Sequence, residues 1–150
     1  FTERLEELGS KIKVVDSQNA DWDRNTAKDV AATILKTYPD LKIICCNNDV
    51  MAMGALEAVK ESGKTLNKDV YVIGMDGTDE AYESIRANEL SATVSMYPLY
   101  ESQMATECAV RILLGQEMPS VIWTPAMVTD ATNVDADEAD TIGWTDPTFE

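Results

Sequence analysis

Residues 43–56, IICCNNDVMAMGAL, decide how this chain folds. An apolar run ends in Asn48 and Asp49, and a helical pattern follows at once. Residues 70–78, VYVIGMDGT, repeat this order and end their apolar run in Asp76. Ligands of open α/β sheets bind beyond the carboxyl ends of parallel strands. We therefore predict that these polar side chains share one edge of a sheet and face a bound molecule.

Hydrophobic periodicity divides the chain into alternating helices and strands. The predicted helices span residues 1–9, 22–38, 49–62, 78–88 and 99–114. The predicted strands span residues 12–16, 42–46, 70–74, 90–96 and 121–128. Strict alternation with short connections predicts an α/β fold, a doubly wound parallel sheet with helices on both faces. Pro125 interrupts the last strand, which indicates an edge or a crossover position because proline cannot donate to a sheet ladder.

Composition limits the classes of partner. The chain has 150 residues, 45% of them hydrophobic, which is about one globular domain. Its formal net charge of -15 argues against nucleic acid, whose phosphates need Lys and Arg, and leaves a cationic ligand open. The chain begins inside a helical pattern without a capping residue, so we expect it to be part of a longer protein. Residues 131–150 are acidic and aperiodic, and we expect a surface tail there.

Several chemistries have no residues to carry them. The chain has no histidine, which removes Ser-His-Asp and Cys-His catalysis and Cys/His metal sites. No phosphate-binding glycine motif occurs, so we predict no enzyme, no cofactor and no metal. Cys45 and Cys46 are adjacent in a strand and should point to opposite faces. Together with Cys108 they are predicted to be small buried hydrophobic residues.

The strand ends carry groups that suit a polyol. Asn48 offers one acceptor and two donors, and Asp76 offers two acceptor oxygens that can bind neighbouring hydroxyls. Trp22 lies in a loop before a helix, where an indole can cover the apolar face of a sugar ring. A few polar groups beside an aromatic wall are typical of small-molecule sites.

Local structural roles compete with ligand binding at these positions. Trp22 precedes a helix and can fix its start by packing against it. Asn48 can form a turn, and Asp49 is predicted to cap the helix that follows it. Asp76 precedes a glycine, which is typical of a turn, with Thr78 the natural cap of the next helix. The residues alone leave both kinds of role open.

Four motifs carry a resemblance to a known family. In order they read ADWDR, NNDVMAMGAL, VIGMDGT and ATVSMYP, and they begin at residues 20, 47, 72 and 92. Their order and spacing resemble the C-terminal lobe of type I periplasmic sugar-binding proteins, the substrate receptors of ABC importers for ribose, galactose/glucose and related sugars. The resemblance covers nearly the whole chain and implies a sugar-binding lobe at residues 1–130. It also implies that the first strand of this lobe and the whole N-terminal lobe lie outside the chain.

The resemblance implies specific roles for four residues. By position in the motifs, Trp22 stacks on the sugar, Asn48 binds hydroxyls and Asp76 binds two hydroxyls. Met96 stands where the family commonly has Asn or Gln. A thioether is a weak acceptor and no donor, which predicts a ligand with an apolar edge there, such as a deoxy position.

The implied function is solute capture for transport. The receptor would close about a hinge on a monosaccharide or polyol and dock on the membrane subunits of an ABC importer, in the periplasm or outside the cell, without breaking a bond. Lactose-repressor-type regulators use the same lobe, but their motif usually continues with a second acid where this chain has Gly77. A sugar-sensing ectodomain of a membrane receptor would look the same over these residues.

Overall fold

A computed structural model describes residues 2–136 of the chain. The helices are α1 Thr2–Glu7, α2 Arg24–Thr37, α3 Asp49–Glu61, α4 Asp79–Arg86 and α5 Pro98–Leu113. The strands are β1 Ile43–Cys45, β2 Tyr71–Asp76, β3 Ala92–Met96 and β4 Ala126–Asp130. Among these residues, no helix has the length and apolarity needed to cross a membrane.

The four strands form one sheet in the order β1-β2-β3-β4. The first three are parallel, with Cys45 opposite Ile73 and Asp76 opposite Ser95. The connections through α3 and α4 step in one direction across the sheet, and right-handed crossovers of that kind place both helices on the same face. The predicted α/β fold with a parallel-dominated sheet is confirmed.

The last strand differs from the prediction in position and direction. β4 spans Ala126–Asp130 and pairs antiparallel with β3, at the edge that Pro125 indicated. Its first residue lies opposite Met96, the last residue of β3. The chain therefore leaves β3 at its carboxyl end, passes through α5 and re-enters the sheet beside that same end. A parallel strand would instead have to begin beside the amino end of β3, which requires a connection that crosses the length of the sheet.

The core lies between the sheet and one layer of helices. Buried residues of α2, α3, β2 and α4 form a single hydrophobic cluster, and α3 lies at its centre. Met51 and Met53 of α3 are buried. On the other face of β2, Tyr71 and Met75 are exposed, so helices cover one face of β2, and not both, within residues 2–136.

Helix α5 is mostly exposed within the described residues. Met104 is its one buried residue, while Ala105 is exposed, Ile112 is 60% exposed and Cys108 is half-buried. Cys108 is therefore less buried than predicted, because α5 lies outside the sheet and has little to pack against within residues 2–136.

The predicted strand at residues 12–16 does not form. These residues belong to no helix or strand, and Ile12, Val14 and Val15 are about half exposed. A strand needs a neighbour to complete its ladder, and β1 pairs only with β2 in the described part of the chain. The helix before this segment ends at Glu7, close to the predicted end at residue 9. Gly9 follows it with a positive φ of 59°, and its amide donates to the Glu6 carbonyl.

The cysteines only partly match the prediction. All three are free; Cys45 is exposed, which corrects its predicted burial, and Cys46 and Cys108 are half-buried. Burial, aided by the charge of Asp49, raises the pKa of the Cys46 thiol to about 12. Cys46 therefore stays protonated at neutral pH and packs as a hydrophobic group.

The start of the acidic tail is docked on α4. Arg86 binds the carboxylate of Asp135 at 2.7 Å and the carbonyl oxygen of Val134 at 3.1 Å. The predicted tail beyond residue 136 lies outside the described residues.

Candidate sugar-binding edge

Three parallel strands end at the same edge of the sheet, which we call the ligand edge. Asn48 follows β1, Asp76 is the last residue of β2 and Met96 is the last residue of β3. Because Asp76 pairs with Ser95, Met96 lies one residue beyond Asp76 in the direction of the strands. The rule that polar strand ends converge in parallel sheets thus places these side chains on one edge.

Asn48 is the N-cap of α3. Its backbone is extended, and its Oδ1 accepts a hydrogen bond of 2.8 Å from the Met51 amide. The prediction that Asp49 is the cap is wrong, because Asp49 is the first residue inside the helix and its side chain is engaged elsewhere. The cap fixes the carboxamide, and within residues 2–136 its Nδ2 makes no hydrogen bond to the protein. Two donors therefore remain for a ligand hydroxyl.

The turn after Asp76 lies at the N-terminus of α3, because Asp49 Oδ2 accepts from the Gly77 and Thr78 amides. Partial burial, together with the nearby charge of Asp49, raises the pKa of Asp76 above its usual 3.8, and the backbone N–H of Asp49 offsets part of this rise. The backbone of Asp76 has a φ of 122°, which is uncommon for a residue other than glycine. Strained backbone of this kind is concentrated at functional sites.

Trp22 lies on a loop anchored beside the same helix terminus. The indole is 65% exposed, so it does not staple α2 to the core. Instead Ala20 is the buried residue of this loop, packed with Met51 of α3 and against Cys46, which follows β1. The backbone of Trp22 has a positive φ of 59°. The loop therefore holds an aromatic side chain in solvent next to the turn that carries Asn48.

Met96 is the remaining residue that is predicted to contact a ligand. It is half-buried at the end of β3, beside the fully buried Ser95. Ser95 Oγ contacts Thr129 Oγ1 at 2.6 Å and accepts from the Tyr82 hydroxyl at 2.9 Å. The polar groups under this end of β3 thus bond to one another, and the side chain at the rim is a thioether.

Sequence reasoning missed the buried carboxylate of Asp49. Its two oxygens join α3 to the turn after β2 and to Thr93 of β3. A methyl group on Gly74 would overlap Asp49 Oδ1, so this glycine makes room for the carboxylate. The glycine inside an otherwise bulky strand was the available signal, since it often marks the close approach of another group.

Gly77 closes the turn that follows Asp76, and we expect Gly77→Ala to lower the free energy of unfolding by about 2 kcal/mol. Its φ is 79°, and an added Cβ would lie 2.8 Å from Ser95 Cα and 2.7 Å from the Tyr82 hydroxyl. Gly63→Ala is the matched control, because Gly63 has a similar φ of 77° but open space around it. Urea unfolding of both variants checks this. Equal losses would mean that φ alone, and not the crowding, sets the cost.

No group of three or more Cys, Asp or Glu side chains within residues 2–136 is arranged to hold a metal ion.

The four residues predicted to face a ligand offer one carboxylate, one carboxamide, one indole and one thioether; they are Asp76, Asn48, Trp22 and Met96. These groups can bind hydroxyls and a C–H face, and they include no nucleophile paired with a base.

Comparison with known proteins agrees with this chemistry. A family model described as "Periplasmic binding protein domain" matches residues 1–117. The chain is 42% identical over 115 residues to the ribose import binding protein of Bacillus subtilis, and this match covers 77% of the chain and 36% of that protein. It is 48% identical over 89 residues to the D-allose-binding periplasmic protein of Escherichia coli, covering 59% of the chain and 28% of that protein. The chain thus spans about a third of the length of the curated relatives it matches.

Solved structures give the same result. An ABC transporter periplasmic solute binding protein from Actinobacillus succinogenes with bound D-allose superposes with a TM-score of 0.77 at 32% identity, covering 89% of this chain and 46% of that one. The Caulobacter myo-inositol binding protein bound to myo-inositol has a TM-score of 0.76 at 35% identity, covering 89% and 45%. These relatives are named as binding proteins and not as enzymes. With its fold, its motifs and the family match over residues 1–117, the chain belongs to the periplasmic binding protein domain family.

Proposed function

We propose that this chain is the C-terminal lobe of a solute receptor that binds a monosaccharide or a similar cyclic polyol for an ABC importer. The observation that carries the proposal is the meeting of two strand ends at the N-terminus of α3, where Asn48 is the cap and the Asp49 carboxylate binds the Gly77 and Thr78 amides that follow Asp76. A donor pair and an anionic acceptor on neighbouring strand ends suit adjacent ring hydroxyls.

Trp22 and Met96 complete the proposed site. An exposed indole beside the polar groups can lie against the C–H face of a sugar ring. Met96 gives the far end of the ligand edge an apolar contact. We propose that the ligand has a ring position without a hydroxyl, or with a hydroxyl that points away, next to Met96.

The proposed mechanism is closure around the ligand. The chain spans 36% of the length of its relative from Bacillus subtilis. In this proposal the opposite wall of the site belongs to a second lobe of the full-length protein. A ligand that contacts both walls stabilises the closed form over the open form. In this proposal the closed receptor docks on the importer's membrane subunits, in the periplasm or outside the cell. Two of the named relatives are a ribose import binding protein and an ABC transporter solute binding protein, which supports transport over transcriptional regulation or sensing.

The test is a thermal-shift screen of the full-length protein against aldopentoses, aldohexoses, 6-deoxy sugars and inositols, followed by calorimetry on each hit. We expect a saturable rise in Tm with at least one neutral ring polyol. Because that ligand is uncharged, its Kd should change less than about threefold between low and high salt, since screening acts on charged partners. A hit restricted to cationic compounds, with a steep loss of affinity in salt, would replace this proposal with a cation receptor.

A further inference from the structure

Asp49 is a buried carboxylate that joins α3 to two other parts of the fold, the turn after β2 and strand β3. It is 1% exposed. Its Oδ2 accepts from the Gly77 amide at 2.9 Å, from the Thr78 amide at 2.8 Å and from Thr78 Oγ1 at 3.1 Å. Its Oδ1 accepts from Thr93 Oγ1 at 2.7 Å. The four hydrogen bonds satisfy both oxygens, as a buried charge requires.

These bonds hold the turn that presents Asp76. Asp76 has a φ of 122° and is followed by Gly77 with a φ of 79°. Positive φ is ordinary for glycine, but at a residue such as Asp76 it persists only where the surroundings over-determine it. Asp49 Oδ2 fixes the two amides that directly follow Asp76. The carboxylate of one residue therefore holds the backbone of the turn from which the Asp76 side chain projects.

We infer that Asp49 is a positioning residue for ligand binding, one that holds Asp76 in its strained conformation without touching the ligand. This inference rests on the proposed function. Without the carboxylate, the amides of Gly77 and Thr78 lose their acceptor, and Asp76 can relax to negative φ. Its carboxylate would then turn away from the hydrogen-bond donors at the N-terminus of α3.

The helix-capping role does not account for this arrangement. Asn48 already caps α3, and Asp49 is its first helical residue. Asp79 holds the same position in α4, after the cap Thr78, and is exposed. A role confined to the helix dipole would make the two residues equivalent. Asp79→Ala is therefore the matched control for loss of a first-turn carboxylate.

The test compares four variants of the full-length protein: Asp49→Ala, Asp49→Asn, Thr93→Val and Asp79→Ala. Asparagine can turn its oxygen to the Gly77 and Thr78 amides and its nitrogen to the Thr93 hydroxyl, so it keeps the geometry and loses the charge. Thr93→Val removes one hydrogen bond at nearly constant volume, and it remains informative if Asp49→Ala does not fold. The first readout is the Kd for the sugar found by the thermal-shift screen. The second is amide hydrogen exchange of Gly77 and Thr78 without ligand.

We expect Asp49→Ala to weaken binding roughly thirtyfold and Thr93→Val roughly threefold, with faster exchange at Gly77 and Thr78 in both. Asp49→Asn should recover most of the affinity and the protection, and Asp79→Ala should leave both near wild type. Unchanged protection at Gly77 and Thr78 in Asp49→Ala would overturn the inference, as would equal losses of affinity in Asp49→Ala and Asp79→Ala.

The two readouts separate this inference from the proposed function. If the full-length protein binds no polyol, the proposed function fails and the role in ligand binding fails with it, while exchange still reports whether Asp49 holds the turn. If the protein binds a polyol and Asp49→Ala binds it as tightly as wild type, the positioning role alone is wrong.

Discussion

Replacing Asp76 with alanine is expected to weaken monosaccharide binding by the full-length receptor roughly tenfold to a hundredfold. Hydrogen bonds to a charged group contribute about 1.5–3 kcal/mol, and the Asp76 carboxylate offers two acceptor oxygens to adjacent hydroxyls. Isothermal titration calorimetry with the sugar identified in the thermal-shift screen measures this loss. Unchanged affinity would remove Asp76 from the site and with it the main anchor of the proposed function.

Asp76→Asn separates charge from backbone conformation, since asparagine also tolerates positive φ. The raised pKa of Asp76 means that the folded protein holds this proton more tightly than the unfolded chain does. Its contribution to stability therefore decreases as pH rises from the ordinary value of 3.8 through the raised pKa. We expect Asp76→Asn to weaken binding at neutral pH without lowering Tm.

The same pKa predicts how acid affects binding. The ionised carboxylate is the better acceptor, so affinity should fall on acidification, and it should begin to fall at a higher pH than for an ordinary aspartate. Asp76→Asn should lack this pH dependence. If wild type and variant lose affinity in parallel on acidification, another group controls the transition.

The largest loss of stability is expected for Gly54→Ala, about 4 kcal/mol, which is above the usual cost of an added methyl group. A Cβ at this position would overlap the backbone carbonyl oxygen of Arg24 and lie 3.1 Å from the Lys28 amide. Both groups belong to α2, and a helix backbone cannot move aside as a side chain can. The two helices would have to separate along the core contact between α2 and α3.

Helix propensity acts in the opposite direction, so a loss of stability in Gly54→Ala would have to come from the steric overlap. Alanine is about 1 kcal/mol better than glycine inside a helix, and Gly54 has no positive φ to relieve. Gly63→Ala is again the matched control, because it meets no steric contact and changes only the backbone preference. Urea unfolding monitored by circular dichroism compares the two. A Gly54→Ala variant as stable as wild type would mean that α2 and α3 are not packed this closely.

Local pattern was enough to locate most of the ligand edge. Asn48, Asp76 and Met96 each end or follow a strand, and the parallel order of β1, β2 and β3 brings strand ends together whatever the rest of the chain does. The loop position of Trp22 was also predicted, whereas the pattern left open whether its indole packs on α2 or is exposed, as the structure has it. Which of these side chains contact a ligand stays a prediction.

The sequence pattern did not predict contacts between residues that are far apart along the chain. The three residues that donate to the Asp49 side chain lie 28 to 44 positions away along the chain. Nothing local distinguishes such a carboxylate from a helix cap. The prediction of a strand at residues 12–16 was wrong for a related reason. These residues alternate as a strand does, but a strand also needs a hydrogen-bonded neighbour, and that neighbour is not encoded in the local pattern. The direction of β4 was missed because α5 gives no sign that it turns back at the same edge.

The contrast between Asp76 and Met96 bears on how receptors of this kind could change ligand. Asp76 occupies left-handed backbone that branched residues disfavour, so few side chains other than Asn, Asp or Gly are compatible there. Met96 is in a regular strand that accepts almost any side chain. Natural divergence and laboratory redesign of ligand preference should therefore proceed through position 96, while position 76 stays fixed as a common anchor.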